Sequence, residues 1–132
     1  MLKSGMKFLL LIIGLVLTMQ SKALTPQDFE QGYYHLLNQF MQLQQQRAEL
    51  IAAQDEAGLT IIEQKKLQGL DCSIWQAESN YYQYIVEKFS QYSDLMRRSG
   101  AEVIDSRADF QDARSDLLRQ INDPKNTCQK TG

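Results

Sequence analysis

Proline occurs twice in this 132-residue chain, at Pro26 and Pro124. The long stretch between them is rich in Gln, Leu, Ala, Glu, Lys and Arg, which lose little on entering a helix. Almost nothing in it alternates with the period of a strand. An all-α fold follows, and the start and stop signals divide it. Thr25 is a good N-cap and Pro26 suits a first helical turn. Asp28 and Glu30 then place negative charge at the positive end of the helix dipole. Phe29, Tyr33, Leu36, Phe40, Leu43, Arg47 and Leu50 recur at steps of four and three, a seam that is apolar except at Arg47. Leu37, Met41 and Ile51 widen that stripe on one flank. Ala57-Gly58 reads as the stop, so the first helix is expected over 26–57.

A second start follows at Thr60, where Thr60-Ile61-Ile62-Glu63 fits a capping box. Ile62, Leu67 and Leu70 give this helix an apolar side. Gly69-Leu70-Asp71-Cys72 interrupts it: glycine is a weak helix former and Asp71 can cap a fresh helix, so a kink or short break is expected there. Ile74, Trp75, Tyr81, Tyr82, Ile85, Phe89, Tyr92 and Met96 then share one side at helical spacing. Arg97 and Arg98 suit a helix C-terminus, and Ser99-Gly100 ends it. The last helix is expected from about residue 101 to 122, with Val103, Ile104, Phe110, Ala113, Leu117 and Ile121 as its stripe. The reading is an up-down antiparallel three-helix bundle, or four helices if the second breaks near Gly69–Asp71.

The cysteines agree with that topology. Folding the last helix back about residue 100 brings Asn122 within roughly 7–8 Å, along the axis, of the level of Cys72. The residues from Asn122 to Cys128 reach up to ~20 Å when extended. A Cys72–Cys128 bond is therefore easy to close, and it would staple the C-terminal tail beside the middle helix.

Ahead of the bundle, Lys3 and Lys7 precede the apolar run Phe8–Leu17, and Ser21-Lys22-Ala23 follows with small residues at the positions a signal peptidase reads. This is the order of a secretory signal, and the run is short for a membrane span. Residues 1–23 are expected to be removed, leaving 24–132 as one helical domain in the periplasm or outside the cell. If cleavage fails, the same run becomes an anchor. An even cysteine count suits an oxidising compartment. Losing Lys3, Lys7 and Lys22 takes 14 basic residues to 11 against 16 acidic ones, a net charge of −5. An acidic chain with scattered basic residues is a poor partner for nucleic acid or anionic lipid. After cleavage no apolar stretch of membrane-spanning length remains.

Chemistry is harder to find. His35 is the single histidine, and its helical neighbours Gln31, Asn38 and Gln39 supply neither nucleophile nor acid. No spacing suits zinc or calcium, no glycine cluster cradles phosphate, and nothing selects a carboxylate pair. No catalytic, cofactor-binding or metal-ligating residue is assigned, and no enzyme activity is expected. Gln42, Gln44, Gln45 and Gln46 read as a solvated face. The Leu-Thr-x-x-Gln signature of small helical periplasmic chaperones is missed by one place after Leu59-Thr60, where glutamine arrives at Gln64.

Two aromatic groups remain. Tyr33-Tyr34 and Tyr81-Tyr82 are doublets, and adjacent residues on a helix cannot both face the core. One of each pair should point toward solvent or a partner. Tyr34, Tyr84, Tyr82 and Trp75 are the candidate interface residues, because surface aromatics offer contact area at low entropic cost. The function expected is non-catalytic binding of a protein partner, of the inhibitor, immunity or secretion-accessory type, with a homodimer also open. A secreted effector and a holdase chaperone are the alternatives.

Overall fold

The computed structural model describes residues 24–128. Four α-helices follow one another: α1 (Pro26–Ala52), α2 (Ile61–Glu87), α3 (Phe89–Arg98) and α4 (Arg107–Asn122). A short 3-10 turn, Pro124–Asn126, leads into the tail. No strand occurs among the described residues. The expected cleavable segment 1–23 lies outside them.

Helix α1 begins as its sequence requires, with the Asp28 amide donating to the Thr25 hydroxyl oxygen at 3.2 Å. It stops at Ala52, short of the expected residue 57. Asp55 accounts for the difference: its carboxylate accepts from the Ala57 amide at 3.0 Å, an Asx turn that competes with further helix. Gly58, at φ +82°, completes the reversal. Thr60 then caps α2, accepting from the Glu63 amide at 3.2 Å.

Contrary to the break expected near Gly69–Asp71, α2 passes through Gly69 without interruption. Asp71 does not cap a new helix, because its carboxylate accepts from Arg47 Nε of α1 at 2.6 Å. The break falls at Lys88, where φ −126° and ψ 40° leave helical space. No glycine or proline marks it. Its effect is tertiary: it turns Phe89 and Tyr92 of α3 onto Phe110 of α4, with centroids 6.4 and 5.4 Å away. Helix α4 also starts later than expected. Ser106 and Asp109 form a reciprocal capping box that outcompetes any start at 101. Val103 and Ile104 therefore precede the helix, and Ile104 is exposed rather than part of the stripe.

Helix α2 is the spine. The α1 pairs Arg47–Asp71, Tyr33–Tyr81 and Phe29–Tyr84 step in opposite directions along the two helices, so α1 and α2 are antiparallel. On α4, Phe110 meets Tyr82 and Arg114 reaches Gln83, while the tail returns to Gln68 and Cys72. Helices α1 and α4 pack along α2 but scarcely on each other. The core is accordingly uneven. Phe29, Tyr33, Ile85, Leu95 and Phe110 form a buried cluster at one end, surrounded by further aromatics. Toward the 53–60 turn, burial is thinner and rests on Leu70, Ile74 and Leu117.

The Cys72–Cys128 bond is present, with Cα atoms 5.4 Å apart. It closes a loop spanning 56 positions. In the chain-entropy model such a loop contributes about 4 kcal/mol. Replacing Cys72 and Cys128 together with Ser should lower the unreduced melting temperature to that of reduced wild type. Equal melting of wild type and variant without reductant would remove the staple from the account.

A glycine pair checks the helix packing. At Gly32 an added Cβ would collide with the Tyr84 hydroxyl oxygen, whereas at Gly69 it would meet nothing within 4 Å. Gly32→Ala should destabilise by about 1–3 kcal/mol, the usual cost of overpacking. Gly69→Ala should stabilise by about 0.5–1 kcal/mol, the propensity gain in an unbroken helix. Thermal or urea unfolding measures both, and stabilisation by the first or loss from the second would contradict this packing.

Candidate interaction surface

Tyr84 joins α1 to α2. Its ring stacks on Phe29, with centroids 5.3 Å apart and planes 12° apart. Its hydroxyl donates to the Phe29 carbonyl at 2.9 Å. Gly32 lets the ring lie against the α1 backbone. Lys88 Nζ sits 4.4 Å from the same ring. Tyr84 is thus engaged inside the fold, and its polar group is not free to serve a partner. Tyr82 is half-buried, packs its ring near Phe110 and donates its hydroxyl to Glu78 at 2.9 Å. Tyr33 and Tyr81 share a hydrogen bond of 2.9 Å.

The other two candidates stand elsewhere. Tyr34 is 46% exposed, its ring edge-on to the buried Tyr33. The first doublet therefore divides as its spacing requires, one ring in and one out. Trp75 lies on α2 between the residues that meet α1 (Asp71 and Tyr81) and those that meet α4 (Tyr82 and Gln83). It floors a pocket of about 430 Å³, together with Gln44, Arg47, Ala48, Asp71 and Ile74. The pocket exists because α1 and α4 do not close over α2 at this level. Arg47 and Asp71 neutralise each other there, so the floor carries a half-buried indole beside a satisfied ion pair.

Pocket residues Gln44 and Ala48 belong to a second seam on α1. Tyr34, Leu37, Met41, Gln44, Ala48 and Ile51 follow at alternating steps of three and four. This one is more open than the inner seam: Met41 is 55% exposed, Gln44 and Ala48 are exposed, and Leu37 and Ile51 are half-buried, Leu37 against the core cluster. Its signal in the sequence was the widening of the apolar stripe by Leu37, Met41 and Ile51. What no pattern revealed was that α4 would leave that flank open. On the other side of the α1–α2 seam, Gln39, Gln42 and Gln46 border a polar groove with Ser73, Gln76 and Asn80. His35 is exposed.

Compared with known proteins, the chain matches no family model, no curated protein and no solved structure. Among the described residues no helix is long and apolar enough to cross a membrane, and no cluster of His, Cys, Asp or Glu is arranged to hold a metal ion.

The tyrosine cluster has a consequence at high pH. Burial, and then the hydrogen bond to Tyr33, drive the Tyr81 phenol far above its ordinary value. Burial, and then the hydrogen bond to Glu78, push Tyr82 up to about 12. Both effects favour the neutral phenol in the folded state. Their contribution is complete below the ordinary tyrosine pKa of about 10 and declines as pH rises from there toward 12. In an alkaline titration, tyrosinate absorbance from this cluster should appear together with loss of helical circular dichroism. Complete tyrosinate formation with the helix signal intact would contradict the arrangement.

Proposed function

We propose that this protein is an exported, non-catalytic helical module that works by binding another protein surface. The observation that carries this reading is the uncovered seam of α1 running into the Trp75 pocket. Exposed apolar area of this kind, rimmed by polar residues, characterises contact surfaces on small proteins. Tyr34 and Trp75 supply the aromatic anchors that dominate binding energy at such surfaces.

Export rests on the Lys3–Lys7, Phe8–Leu17 and Ser21-Lys22-Ala23 pattern and is compatible with the Cys72–Cys128 bond. The distribution of the full-length protein between periplasm, membrane and culture supernatant distinguishes a resident binder from a secreted effector. A new N-terminus at Leu24 is the expected product of processing.

A holdase activity is the second reading, because the gap between α1 and α4 presents an apolar flank beside a concave floor. The readings separate in an aggregation assay. A dedicated binder leaves the aggregation of reduced, unfolding substrates unchanged, whereas a holdase suppresses it at stoichiometric amounts.

The binding reading is tested with a photo-crosslinking residue at Gln44 in the full-length, disulfide-bonded protein expressed in its own cell. A discrete protein adduct is expected, with an at least about tenfold loss when Met41→Lys is added, since burying an unpaired charge at an interface costs more than 1.4 kcal/mol. Adducts unaffected by Met41→Lys, with a fold unchanged by circular dichroism, would contradict a role for this face.

A further inference from the structure

From the outer seam of α1 we infer that its occupant is a second copy of the same chain, paired antiparallel about a two-fold axis between Met41 and Gln44. This rests on the reading of the face as a protein-binding surface and names the partner.

Three observations favour a second copy. The first is self-complementarity. An axis between Met41 and Gln44 sets Met41 against the partner's Gln44, Leu37 against the partner's Ala48 and Tyr34 against the partner's Ile51. Each large side chain thus meets a smaller or differently shaped one, as interdigitated helix seams require. Parallel pairing instead stacks identical residues, placing Tyr34 on Tyr34 and leaving only the small Ala48 against Ala48.

The second observation is charge. Outside residues 1–23 the sequence carries 16 acidic and 11 basic residues, a net of −5 that disfavours self-contact over most of the surface. No residue of the outer seam is charged. The positions flanking it on the solvent side, Gln31, Asn38 and Gln45, are amides. Under the proposed axis, Asn38 faces the partner's Gln45. An amide both donates and accepts, so these flanks pair without a like-charge penalty.

The third observation is continuity with the pocket. Arg47 is tied to Asp71 and Tyr33 to Tyr81, which fixes the register of α1 on α2. Interpolating between these ties, the midpoint of Met41 and Gln44 falls level with Ile74 and Trp75. The axis that pairs the seams therefore brings the two Trp75 pockets toward each other. One operation covers both the exposed seam, about 26 Å of helix at the helical rise, and the half-buried indole. The contact is isologous and closes on itself as a dimer, the commonest symmetric assembly.

Sedimentation equilibrium on disulfide-bonded 24–132, the span the sequence pattern assigns to the mature chain, should give twice the chain mass. Met41→Lys should return it to monomer, and Gln44→Leu should tighten the dimer by about tenfold through added apolar contact. Orientation is read with two single variants, Leu37→Cys and Ala48→Cys. Mixed and oxidised, they should cross-link to each other and not to themselves. Self-linking of either variant would overturn the antiparallel pairing. A wild-type monomer at millimolar concentration would overturn the dimer. If the Gln44 adduct in cells is then a different protein, and is lost with Met41→Lys, the face still binds protein and only the identity of the partner has failed.

Discussion

Everything else in the arrangement depends on how closely α1 and α2 approach at Gly32. Tyr84 occupies the space a side chain would take there, stacks on Phe29 and donates to its carbonyl. A ring held in plane and by its hydroxyl sets both the distance and the register of the two helices. With that register fixed, Tyr33 reaches Tyr81 and, several turns away, Arg47 reaches Asp71. A slip by one residue would turn the inner seam away from α2 and separate all three pairs.

The register then distributes burial unequally. At the Tyr84 end, the break at Lys88 lets α3 set Tyr92 between Tyr33 of α1 and Phe110 of α4, with Phe89 beside Phe110, and the aromatics fill the interior. Toward the 53–60 turn no such wedge exists. There the Cys72–Cys128 bond holds the tail against α2, joined by hydrogen bonds from Gln68 to the Asn126 carbonyl and the Thr127 hydroxyl. Helix α4 packs on α2 and scarcely on α1. The fold is closed by packing at one end and stapled open at the other. The outer flank of α1 and the Trp75 pocket are products of that asymmetry.

Much of this was legible from residues whose signals are local. Thr25, Thr60 and the inner seam mark their helices because capping and periodicity act within a few residues. The Cys72–Cys128 pairing followed from an even count of two cysteines and from the reach of the chain in an up-down bundle. Other features answered to distant partners. Gly69 and Asp71 looked like a break, but Asp71 is held by Arg47 and an isolated glycine is carried by the surrounding helix. Lys88, where α2 does end, carries no glycine or proline to mark the break, and its consequence, the packing of Phe89 and Tyr92 on Phe110, lies far along the chain. Tyr84 resembled a surface aromatic because its spacing reports a face of α2 and says nothing of Gly32 across the interface. The open flank was least legible: Leu37 and Met41 show that α1 is apolar there, but only the placement of the other helices shows that Leu37 leans onto the core while Tyr34 and Met41 stay exposed.

The chain has a single tryptophan, and it sits in the pocket where the outer seam meets α2. The most direct measurement is therefore the Trp75 emission of the disulfide-bonded chain 24–132, followed with iodide quenching from nanomolar to millimolar concentration. The expected result is a blue shift and loss of quenching as concentration rises, both abolished by Met41→Lys. Emission and quenching that stay constant over the whole range would contradict the account, because the indole would then remain uncovered when the chain meets its own copy.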